Sequence, residues 1–129
     1  MEYLGVSDNI DALIEETHGR GISIPPDRPE IIVLCGSTRF MEEYKKWNRE
    51  LTLQHKIVLS VGRSKVELSH LGNKDTIAEG LDELHLRKID LADRVFILNI
   101  GGYIGESTAK EIMYAMERGK PVEYLEPIL

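Results

Sequence analysis

"IIVLCGSTRFMEEYKKWNRELTL", residues 31–53, changes its period at one glycine. Before Gly36 it is a continuous apolar run rich in β-branched residues, as expected of a strand buried on both faces. After it, Phe40, Tyr44, Trp47 and Leu51 recur at helical spacing, with charges on the other side. The alternation then repeats. "KIVLSVG" (56–62) reads as a second strand, the polar residues 62–74 as a loop, and "DTIAEGLDELHLRKIDLA" (75–92) as a second helix. "RVFILNI" (94–100) reads as a third strand. Ser107 is expected to cap a third helix that runs to Arg118 and stops at Gly119, before a last strand in "KPVEYLEP" (120–127).

Strands alternating with helices define an α/β fold: a three-layer sandwich around a Rossmann- or flavodoxin-like parallel sheet of four to five strands. Right-handed crossovers and a switch beside the first strand make 2-1-3-4 the expected strand order. In such sheets ligands lie outside the carboxyl ends of the strands at the switch point. That rule brings together "GSTRF" (36–40) after the first strand and "GGYIGEST" (101–108) after the third.

Residues 1–29 have a different character. "SDNIDALIEETHG" (7–19) is a short amphipathic helix pattern, with Ser7 or Asp8 as its cap and Gly19 as its stop. Pro25, Pro26 and Pro29 then give a stiff connector, so 1–29 reads as an arm and 30–129 as the α/β domain. A net charge of −6 argues against a nucleic-acid polymer as partner, because phosphate backbones reward clustered Lys and Arg. The single cysteine, Cys35, excludes an internal disulfide and fits a reducing compartment. No apolar run reaches membrane-spanning length, so a cytoplasmic protein without a membrane partner is expected.

The chemistry-bearing residues concentrate in the two loops. Gly36, Ser37, Thr38 and Arg39 combine a turn, free N–H groups at a helix start and a guanidinium, which together suit an anion. The plain alternative, a capping Ser or Thr and a solvated Arg39, weighs about as much. The spacing is not that of a P-loop, and "GGYIGES" is not a dinucleotide fingerprint. Gly102 is expected to let the backbone approach a ligand, with Asn99 and Tyr103 near the end of the third strand as candidate lining. Glu111 lies one turn into the third helix, with the small Ser107, Thr108 and Ala115 around it. His85 is the only polar member of the helix face Ala78, Leu81, His85, Ile89 and Ala92, with Asp82 one turn away to orient it. A lone histidine on such a face is more often structural than catalytic. His18, His55 and His70 show no metal-ligand spacing with one another or with Cys35, which reads as a buried strand residue, so no metal site is expected.

"IIVLCGSTRF", "IDLADRVFIL" and "STAKEIMYAMERGKPV", in that order, resemble the nucleoside 2-deoxyribosyltransferase superfamily, which includes the 2′-deoxynucleoside 5′-phosphate N-hydrolases. The resemblance covers residues 31–125. It implies that Glu111 is the nucleophile and that Ser37 and Arg39 hold the 5′ end of a small nucleotide or nucleoside. It also implies a homodimer, with no metal or organic cofactor. His85 stands where many members carry an acidic residue and is expected to act catalytically by protonating or hydrogen-bonding the departing base. Met113 stands where they carry a glycine and is expected to narrow or reshape the pocket. The expected activity is cleavage of the N-glycosidic bond of a (deoxy)nucleoside 5′-monophosphate through a glycosyl-enzyme intermediate. The rivals are a non-catalytic nucleotide-binding module and deoxyribosyl transfer between bases.

Overall fold

The computed structural model describes residues 27–62 and 74–128. The chain divides into two units, Met1–Glu30 and Ile31–Leu129, and the sheet and the cleft belong to the second. The helix expected at 7–19, the connector as far as Pro26 and most of the 62–74 loop lie outside the described residues.

β1 (Ile31–Cys35) leads through a 3-10 turn at Thr38–Phe40 into α1 (Met41–Leu53) and then β2 (Ile57–Leu59). α2 (Lys74–Leu91), β3 (Arg94–Ile97), a second 3-10 turn at Ile100–Gly102, α3 (Glu106–Glu117) and β4 (Val122–Tyr124) follow. The four strands form one parallel sheet in the order β2-β1-β3-β4. That is the expected order, with the switch between β1 and β3.

Alternate residues of the central strands build two separate cores. Ile32 and Leu34 of β1 join Phe96, Leu98 and the α1 residues Tyr44 and Leu51 on one face. Val33 and Cys35 join Val95 and Ile97 with Ile89 of α2 and Ile112 and Ala115 of α3 on the other. Helices therefore cover both faces, which is why "IIVLC" is apolar without alternation. Each such fully buried aliphatic side chain contributes about 1.5–3 kcal/mol. Val33↔Val95 and Val33↔Leu59 are paired across the ladder, so β1 is hydrogen-bonded on both sides. The short edges β2 and β4 leave little open ladder.

Polar clamps hold the strand ends. Asp93 accepts a hydrogen bond from the Ile31 N–H at 2.8 Å through its carboxylate and gives its own N–H to the Ile31 carbonyl at 2.8 Å, fixing where β1 starts against β3. Lys120 donates to the carbonyls of Asp90 and Ala92 at 2.9 and 2.8 Å, satisfying acceptors at the end of α2. Gly119 ends α3 with φ 72°, a left-handed conformation that suits glycine at a helix C-terminus.

Several boundaries differ from expectation. The third strand stops at Ile97 rather than Ile100, because the chain turns at Ile100–Gly102 with Gly101 and Gly102 at φ 64° and 81°. Ser107 does not cap α3. Gly105 occupies the cap position with no side-chain bond, and a Cβ there would meet the Tyr103 hydroxyl at 3.1 Å, so the ring takes the space a capping side chain would need. Ser37 does cap, but it caps the 3-10 turn: its Oγ accepts from Arg39 N–H at 3.2 Å.

Candidate active site

Two glycine-bearing loops open a cleft of about 1000 Å3 at the carboxyl ends of β1 and β3. Gly36, Ser37, Thr38 and Arg39 form one wall. Gly36 must be small, since a Cβ would lie 3.0 Å from the carbonyl oxygen of Leu98, the residue after β3. Its own carbonyl accepts the Tyr44 hydroxyl at 2.7 Å, which ties this turn to α1. Tyr103, Ser107, Thr108 and Glu111 line the cleft from the second loop and α3, and Asp82, His85 and Lys88 of α2 line it as well.

Cys35 is the last residue of β1 and points away from α1, towards α2 and α3. There it meets the two residues that sequence reasoning singled out separately. Cys35 Sγ lies 3.2 Å from His85 Nε2, and the same nitrogen lies 3.8 Å from Glu111 Oε1. The Cys35 sulfur also lies within 4.8 Å of the Glu111 carboxylate. All three ligand-type atoms fall within 4.8 Å of one another. Cys35 is fully buried and His85 nearly so, whereas the Glu111 side chain keeps 17% of its surface open to the cleft. Its carboxylate is the accessible member.

Burial pushes the Glu111 carboxyl up to about 7, the Asp82 charge adds to the rise, and the hydrogen bond with Cys35 opposes it. Burial also pushes the Cys35 thiol well above its usual range, and the Glu111 charge reinforces this. The thiol is thus protonated and enclosed, a poor nucleophile. Glu111, raised to about 7, still keeps a substantial ionised fraction near neutral pH and lines the open cleft. Of the two, the carboxylate is the one equipped to attack a ligand.

Arg39 does not reach freely into the cleft. Its guanidinium lies over the Tyr103 ring, 4.2 Å from the centroid, and donates to the Tyr103 hydroxyl at 3.3 Å. Phe40 meets the same ring edge-on at 6.0 Å. The two loops are thereby joined across the cleft by an aromatic–guanidinium contact.

Asn99 and Gly102 stand apart from the cleft lining. Asn99 is fully buried, and its amide pairs with the Glu126 backbone, donating to the carbonyl and accepting from the N–H, both at 2.9 Å. The Glu126 carboxylate accepts the Gly101 N–H at 2.9 Å, so this glycine turn is sealed against the segment after β4. Met113 is 61% exposed and does not touch the cleft, so its side chain does not narrow it. Lys88 was missed in the sequence, although its spacing from Leu81 and His85 continues the face that lines the cleft. Its ammonium donates to the Ser60 carbonyl, fastening the end of β2 to α2.

No protein-family model, no curated protein and no solved structure matches the chain.

Proposed function

We propose that this chain binds a (deoxy)nucleoside 5′-monophosphate in the cleft and cleaves its N-glycosidic bond, with Glu111 as nucleophile. The observation that carries the reading is the placement of an accessible, partly ionised carboxylate in the same cleft as an anion-suited loop. Glu111 and the Ser37–Arg39 turn line the same cleft. The motif resemblance to the nucleoside 2-deoxyribosyltransferase superfamily supports the same roles for the same residues.

In the first step a Glu111 oxygen forms a bond to C1′ as the C1′–N bond breaks, and the electron pair leaves with the base. His85, the basic side chain nearest the carboxylate, supplies the proton the base takes up. In the second step water attacks C1′, the ester bond breaks, and Glu111 regains its carboxylate while His85 regains a proton. A second base in place of water gives deoxyribosyl transfer. Arg39 receives the phosphate, exchanging its Tyr103 hydroxyl contact for phosphate oxygens. A homodimer forms part of the proposal, and exposed Leu84, Leu91, Met113 and Met116 offer apolar surface for it.

The test is a panel of ribo- and deoxynucleoside 5′-monophosphates with the matching nucleosides, followed by chromatography for free base. Release of base from a monophosphate is the expected result. Thermal stabilisation by nucleotides without any release would replace the enzyme with a binding module.

A further inference from the structure

We infer that Cys35, His85 and Glu111 form a binding site for one divalent cation of the zinc type, open to the cleft. The inference stands on the geometry of these three side chains, independently of the glycosidase reading; only its inhibitory consequence rests on that reading.

Each residue comes from a different element: Cys35 from the end of β1, His85 from the middle of α2, and Glu111 from α3. The separations of 3.2 Å from sulfur to nitrogen and 3.8 Å from nitrogen to oxygen bracket the roughly 3.3–3.6 Å between neighbouring ligands of a tetrahedral zinc. With the third side no longer than 4.8 Å, a point equidistant from all three atoms lies no more than about 2.4 Å from each, close to zinc bond lengths. Small rotamer adjustments complete the fit.

The donor set selects the ion. A thiolate and an imidazole disfavour magnesium and calcium, and thiolate, imidazole and carboxylate together suit zinc or cobalt. With its ring proton on Nδ1, His85 presents the Nε2 lone pair. Binding displaces the thiol proton to solvent, so one thiolate and one carboxylate balance a dication and the buried site carries no net charge. The cleft supplies a fourth position for water, the pattern of an open three-ligand site. An ion held there uses the Glu111 oxygen that the glycosidase step needs, so zinc blocks turnover and a chelator restores it.

The test uses tag-free, chelator-stripped protein without nucleotide, titrated with Co2+ and followed by absorption. Expected are one equivalent bound, a thiolate-to-cobalt charge-transfer band, tetrahedral d–d bands, and displacement by Zn2+ with a dissociation constant of about 1 µM or tighter. Cys35→Ser should remove the charge-transfer band, and His85→Ala and Glu111→Gln should each weaken binding roughly 10- to 100-fold. Circular dichroism identifies variants that remain folded. Absence of the band with no calorimetric binding of Zn2+ at 100-fold higher concentration would overturn the inference, as would a band that survives Cys35→Ser. Turnover is measured separately in excess chelator. Cobalt binding without turnover would sink the glycosidase reading alone, and turnover without cobalt binding would sink this one alone.

Discussion

Replacing Glu111 by Gln should stabilise the protein, and by an amount that grows with pH. The carboxyl lies against Cys35 and His85 with the Asp82 charge nearby, and its folded-state value is raised from 4.5 to about 7. Between these values the native state binds more protons than the unfolded chain, so stability falls as pH rises. The favourable contribution is complete below about 4.5 and lost once pH has passed about 7. At 1.36 kcal/mol per pH unit the loss above pH 7 is at most about 3 kcal/mol, and water reaching the cleft reduces it. Gln keeps the shape but has no charge to bury. Urea denaturation at pH 5 and pH 8, with chelator present, should show Glu111→Gln close to wild type at the lower pH. At the higher pH it should gain about 1–3 kcal/mol, or several degrees in Tm. An equal shift at both pH values, or a loss that deepens with pH, would refute the reasoning.

Three further outcomes follow from the geometry. Arg39→Ala should weaken monophosphates by roughly ten- to a hundred-fold while leaving the matching nucleosides little changed, as read by calorimetry; equal losses would remove Arg39 from the phosphate. Asn99→Ala should cost about 2–4 kcal/mol in denaturation, since it strands two Glu126 backbone groups, yet leave nucleotide affinity of the folded protein unchanged; a selective loss of affinity would return Asn99 to the site. In chelator, the single-turnover rate should rise with pH through about 7 as Glu111 ionises, with His85, Cys35 and Asp82 the groups facing it. A rate flat across that range would detach the titration from the chemical step.

The fold was legible because hydrophobic period and chain direction determine it. The run at 31–35, the helical spacing from Phe40 to Leu51 and the alternation that follows were enough to place β1 beside both β2 and β3. The same logic brought the 36–39 loop and Glu111 to one cleft. What stayed hidden depends on side chains far apart in sequence. Nothing local marks Asn99 as the partner of the Glu126 backbone, or Lys120 as the clamp on α2. Ser107 looked like a cap because propensity carries no knowledge of the Tyr103 ring that fills the space beside Gly105. Cys35 read as a buried strand residue, and it is one, but its closeness to His85 was not legible. Its contact with His85 spans 50 positions, and spacing rules for metal ligands search along the chain rather than across a sheet and two helices.

The central claim is that Glu111 is the nucleophile, and release of free base from a (deoxy)nucleoside 5′-monophosphate by wild type and Glu111→Gln tests it most directly. Both proteins are stripped of metal and checked for equal folded fraction. Wild type should release base, and the variant should lose at least about a hundred-fold in kcat with nucleotide binding retained. Release by the variant at the wild-type rate, or release by neither protein from any monophosphate tried, would contradict it.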